Sequence, residues 1–145
     1  MFQLKPIPAN QHPMAKYMQN QFKFAEVESV ERRKESHELI KQSKHLPVNE
    51  VLQQISDLYQ RAEREYQYIA MDMADANVKR FSFQDLKLLI QYIKIKPWWD
   101  TVDVWRQVFG DYLNYHPEDL QRLFDIFYQN DDMWMRRVAI TLQLL

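Results

Sequence analysis

Glycine occurs once in this chain of 145 residues, at Gly110. Tight hairpin turns, phosphate-cradling loops and dinucleotide-binding fingerprints all need positive φ or close backbone approach, which glycine supplies. One glycine therefore excludes Gly-rich nucleotide loops and argues against a sheet-based fold. What remains is helix. Apolar residues make up 46% of the chain and aromatics 14%, enough to fill a core rather than stay disordered. The length is that of one domain, residues 1–145, able to bury about two-thirds of its unfolded surface.

The chain has no cysteine, which removes disulfides, thiol nucleophiles and thiolate metal sites and fits a reducing cytoplasm. The four histidines, His12, His37, His45 and His116, are scattered without metal-ligand spacing. They read as surface or cap residues, so no metal is expected. No apolar stretch approaches the length of a membrane span, and no signal-peptide pattern opens the sequence. Net charge is −1, so the whole molecule exerts no pull on nucleic acid. The distribution is uneven: residues 1–48 carry eight Lys/Arg against five Glu, and residues 49–145 eleven against fifteen Asp/Glu. DNA binding would need a local basic surface rather than a basic protein.

Apolar periodicity is helical throughout. It predicts helices over about 12–22 and 31–44, and from Pro47 to about Gln60, with Val48, Val51, Leu52, Ile55, Leu58 and Tyr59 on the buried stripe. A fourth helix, about 62–77, buries Tyr66, Ile69, Ala70 and Met73. Ser82 and Asp85 form a capping-box pattern for a fifth, ending near Lys94 with Leu86, Leu89, Ile90 and Ile93 inward. Pro97 is expected to open a sixth helix to about Tyr112, Pro117 a seventh, and Asp131 or Asp132 to cap an eighth. Short linkers favour antiparallel pairs. Two short helices per unit of roughly 35–40 residues match a HEAT-like helical-repeat solenoid, whose concave face binds partners, although no residue-level repeat is clear. A plain helical bundle is the alternative. The last helix runs into apolar Val138–Leu145 without a polar cap, so it is read as lacking C-terminal repeats or as meeting another subunit.

The segment Pro97-Trp98-Trp99-Asp100-Thr101-Val102-Asp103 carries the chemistry. On a helix Trp99 and Asp103 lie four residues apart and share one side. An indole face attracts a cation and a carboxylate supplies the counter-charge, a pair suited to a positively charged sugar-like group. The same residues also serve a structural role in many helices: tryptophans fill cores, and Asp103 can pair with Arg106 on the next turn. Trp98 points about 100° away from Trp99 and is expected in the core.

Three segments in this order and spacing resemble a known family: Arg64-Glu65-Tyr66-Gln67-Tyr68-Ile69-Ala70, Lys96-Pro97-Trp98-Trp99-Asp100-Thr101-Val102-Asp103, and Met133-Trp134-Met135-Arg136-Arg137-Val138-Ala139-Ile140. They are similar to the DNA alkylation repair family of AlkD type, HEAT-like-repeat DNA glycosylases. Phe24-Ala25-Glu26-Val27 followed by Glu31-Arg32-Arg33 resembles the family's N-terminal segment. The chain departs from the family's pattern at Ala25, where a glycine is usual, and near Val30, where a proline is usual. The family also continues for further repeats past the equivalent of Leu145.

The resemblance implies a glycosylase that excises cationic alkylated purines, of 3-methyladenine and 7-methylguanine type, from double-stranded DNA. It places the catalytic aspartate at Asp103, the sugar-facing tryptophan at Trp99 and the active-site arginine at Arg137. Arg136, Lys94 and Lys96 are further candidates for phosphate contact. The implied protein is a cytoplasmic monomer without metal or organic cofactor, working in a shallow site. The rival expectation is a non-catalytic HEAT-like scaffold for DNA structures or a protein partner.

Overall fold

A computed structural model describes residues 2–5 and 29–142. Among them there are seven α-helices, three short 3-10 turns and no strand, as the scarcity of glycine requires. None of these helices is long and apolar enough to cross a membrane. The helix expected over residues 12–22, the segment Phe24–Val27 with Ala25, and Gln143–Leu145 lie outside the described residues. Two compact units are present, Met1–Ala76 and Asn77–Leu145.

The first unit holds α1 (Ser29–Ser43), α2 (Val48–Tyr59) and α3, which runs Arg64–Asn77 to the boundary. Pro47 stands one position before its expected place: it is the cap, and its carbonyl accepts the N–H groups of Glu50 and Val51. Val51, Ile55, Leu58 and Tyr59 of the α2 stripe are buried, while Val48 and Leu52 are half-buried. Tyr66, Ile69, Ala70 and Met73 of α3 are buried as expected, together with polar Arg64, Glu65 and Gln67. Gln67 has a structural task. Its Nε2 donates to the carbonyls of Tyr59 and Arg61, both at 2.9 Å, satisfying acceptors that the end of α2 leaves without helical partners. Arg32 ties α1 to α3, lying 4.9 Å from the Tyr68 ring centroid and 3.9 Å from Asp72. Burial lowers the Arg32 pKa and raises that of Asp72.

The second unit begins with the turn Val78–Arg80, then α4 (Phe83–Ile90) and the 3-10 turn Gln91–Lys94. The capping box forms as its spacing predicts: Ser82 Oγ accepts from the Asp85 N–H at 3.1 Å, and Asp85 Oδ2 accepts from the Ser82 N–H at 2.9 Å. Leu86, Leu89, Ile90 and Ile93 all point inward. Next come α5 (Trp99–Tyr115), the turn Pro117–Asp119, α6 (Leu120–Tyr128) and α7 (Met133–Leu142). α7 packs on both α5 and α6. The centre is aromatic: fully buried Trp105 stacks between Tyr92 and Phe109, each 5.8 Å away, and Phe109 meets Phe127 at 5.4 Å. Truncating Trp105 to alanine removes about 3–5 kcal/mol of core packing.

Both ends of α5 differ from expectation. The helix opens at Trp99, not Pro97, because Trp98 is extended (φ −159°, ψ 172°) and serves as the cap. It also continues through Gly110, which is buried inside it, to Tyr115. The stop comes from Pro117: a residue before proline is disfavoured in the α region, and His116 takes φ −135°, ψ 63°. Pro117 then opens a 3-10 turn that leads into α6 rather than opening α6 directly. There Asp119 is buried, accepting from the Tyr112 hydroxyl at 2.6 Å and from Arg122.

Candidate active site

The approach to the site is a bent segment. Lys96 has φ 50°, a left-handed conformation that costs a residue with a Cβ about 1–2 kcal/mol. Strain of this kind persists where surrounding contacts hold it, and it is found preferentially beside functional groups. Here it turns the chain from the Gln91–Lys94 turn into Pro97 and the extended Trp98, aiming two adjacent indoles at α7.

α7 brings the partners. Asp132 is its cap, not Asp131: Asp132 Oδ1 accepts the N–H groups of Trp134 at 2.9 Å and Met135 at 3.1 Å. This fixes the first turn, on which Trp134 and Arg137 lie three residues apart and share a face. Trp134 meets Trp99 edge to face, with centroids 5.3 Å apart and planes at 84°, and meets Trp98 at 6.3 Å. The Arg137 guanidinium carbon lies 3.6 Å from the centroid of the Trp99 ring, a cation–π contact. Trp99 still exposes 44% of its surface. That is a high fraction for an indole with two close neighbours, and it leaves aromatic surface open to a ligand.

Asp103 lies one turn along α5 from Trp99, on the same side. It is exposed, and its carboxylate makes no hydrogen bond or ion pair with any described residue. The pairing with Arg106 that the spacing allows does not form. Arg106 is instead half-buried, its Nε without a hydrogen-bond partner among the described residues. Nor does Arg137 pair with Asp131 or Asp132, the structural alternatives open to it. Arg136 and Arg137 are both exposed and line a shallow groove of about 430 Å³ together with Asp131, Met133, Ile140 and Thr141.

Of the sequence-predicted residues, the structure therefore brings together Trp99 and Arg137, with Asp103 a turn away and Arg136 beside Arg137. Lys94 is exposed at the end of its 3-10 turn and Lys96 is half-buried at the bend. Both precede the tryptophans rather than join them. Trp98 is not a core residue as expected: it is half-buried and packs against Trp134. The residue that sequence reasoning missed is Trp134. Its signal was the three-residue spacing from Arg137, which puts both on one helical face. Among the described residues one group has metal-ligand proximity, His116, Glu118 and Asp119, with ligand atoms within 4.8 Å of one another. Asp119 is already engaged by Tyr112 and Arg122, so the group reads as a helix junction.

Residues 2–145 match the sequence profile of the DNA alkylation repair enzyme family. A search of curated proteins finds no match. Among solved structures the chain is similar to a predicted DNA alkylation repair enzyme from Enterococcus faecalis, with a TM-score of 0.97 and 40% sequence identity, over 100% of this chain and 68% of that one. The similarity carries an all-α helical-repeat fold across the whole sequence. The chain belongs to the DNA alkylation repair enzyme family.

Proposed function

We propose that the protein is a DNA glycosylase for cationic alkylated purines in duplex DNA, with Asp103, Trp99 and Arg137 as its working residues. The observation that carries this reading is a cation already stacked on the Trp99 face, one helical turn from an unpaired carboxylate. A site that holds a guanidinium in this way is suited to the positive charge that develops on deoxyribose.

A purine alkylated on a ring nitrogen is cationic and leaves as a neutral base, so no general acid is required. Breaking the N-glycosidic bond sends its electron pair to the base and leaves an oxocarbenium-like sugar. Asp103 stabilises that charge and orients a water molecule. The water oxygen bonds to C1′ and its proton passes to the carboxylate or to solvent. On binding DNA, Arg137 exchanges the indole face for a backbone phosphate, which gives a guanidinium two charge-assisted hydrogen bonds. The freed Trp99 face then lies against the sugar. An exposed Asp103 beside a Trp99 that shows 44% of its surface suits chemistry on a lesion that is not drawn into a deep pocket.

The test is Asp103→Asn, which removes the charge and keeps the shape. Excision of 7-methylguanine should fall by about a hundredfold or more, with duplex affinity within about twofold of wild type. A variant that excises normally, or that loses binding as much as excision, contradicts the catalytic assignment.

A further inference from the structure

We propose that the first unit carries a separate contact for nucleic acid, a basic stripe formed by Arg33 and Lys41 on α1 and by Lys44 just past its end, with His37 between them, that holds the phosphate backbone of a duplex. The proposal rests on the reading of the substrate as double-stranded DNA and adds a binding surface to it.

α1 sorts its charges by side. At about 100° per residue, Arg33, His37, Lys41 and Lys44 fall within roughly 80° of one another, while Glu31, Glu35 and Glu38 fall within roughly 60° of one another on a separate, neighbouring face. A helix built for its own stability alternates acid and base at four-residue spacing, since like charges there repel by about 0.2–0.5 kcal/mol per pair. α1 instead places no acid between Arg33 and Lys41 on that face, only His37, and Lys44 follows one residue past its end. The acidic side has structural work: Glu35 accepts the Lys5 N–H at 3.3 Å, and Glu38 accepts from Gln42 at 3.2 Å. On the basic side, the side chains of Arg33, His37, Lys41 and Lys44 make no ion pair or hydrogen bond with any described residue, and only Arg33 acts at longer range, on Asp72.

These four side chains line an open groove of about 320 Å³. Its one carboxylate is Asp72, which already lies 3.9 Å from Arg32. From Arg33 to Lys44 the helix rises about 16 Å, the axial length of about five nucleotides on one strand at 3.4 Å each. That is long enough for two or three phosphates to be neutralised together. Of the other groove walls, Ile40 is apolar and the buried Ser36 hydroxyl is spent on the Arg32 carbonyl at 2.8 Å, so the proposed contact is to the backbone.

The experiment measures affinity for an unmodified 20-base-pair duplex across a salt series, for wild type and for Arg33→Gln/Lys41→Gln/Lys44→Gln. Lys87→Gln, an exposed cation on α4, sets the background per charge. Each lost duplex phosphate contact lowers the slope of log K on log salt by about 0.9. The triple variant should therefore lose about two to three in slope and at least tenfold in affinity at low salt. Single-turnover excision at saturating DNA should stay within twofold. Lys41→Gln alone should lose about one in slope, so the test survives if the triple variant folds poorly. A triple variant with wild-type slope, no duplex binding by wild type, or equal competition by polyglutamate overturns the stripe. A lowered slope in a protein without excision leaves the stripe standing and removes the catalytic reading.

Discussion

Trp99 is held by two close contacts. Its indole faces a guanidinium at 3.6 Å and an indole edge at 5.3 Å, two contacts worth about 0.5–1.5 kcal/mol each. Trp134 therefore sets the plane on which both Arg137 and the sugar are proposed to lie. Trp134→Phe should keep most of the excision rate and Trp134→Ala should lower it about tenfold with duplex affinity little changed, read by single-turnover kinetics; equal rates for the two would remove Trp134 from this role. Asp119 is informative for a different reason. The Tyr112 hydroxyl, more than Arg122, holds its carboxyl below the usual carboxylate range, while Tyr112 is pushed up by burial and by that same bond. A depressed carboxyl stabilises the fold above its unfolded value of about 3.9 and loses that contribution as pH falls through the folded value. Asp119→Asn should cost about 1–2 kcal/mol at pH 7 and flatten the fall in stability below about pH 4, measured by chemical denaturation across pH.

At the scale of elements, the link between fold and site is the first turn of α7. Asp132 caps that turn, and Trp134 and Arg137 ride on it. Asp132→Ala should lower stability by about 1 kcal/mol and reduce excision more than a comparable loss at Ser82, whose capping box is remote from the tryptophans; thermal melts and excision rates of the two variants decide it. The same elements explain what could be read from the chain. The α4 stripe and its capping box were legible because two local signals, Ser82–Asp85 and the Leu86–Ile93 periodicity, agree. The start of α5 was not, because a proline suited to a first turn is equally suited to the position before an extended cap. Its end was placed about three residues early, at Tyr112, while the true stop lies in the His116–Pro117 pair. Trp99, Asp103 and Arg137 were proposed through the family resemblance, and the structure places Arg137 on the Trp99 ring. The role of Trp134 was not, since it depends on α7 packing against α5.

On the scale of the whole molecule, a net charge of −1 gives no general attraction to DNA, so the proposed binding rests on local cations and should weaken steeply with salt. Arg137→Ala should reduce the salt slope by about one contact, and an unchanged slope would take Arg137 off the phosphate. The central claim is narrower than DNA binding: the site selects positive charge in the leaving base and in the sugar. The measurement that tests it most directly is base release from two matched duplexes, one carrying 7-methylguanine and the other a neutral oxidised purine, by wild type and Asp103→Asn. The account predicts release of the cationic base by wild type alone and none of the neutral base by either protein. Equal release of both bases, release undiminished in Asp103→Asn, or no release of 7-methylguanine by wild type would contradict it.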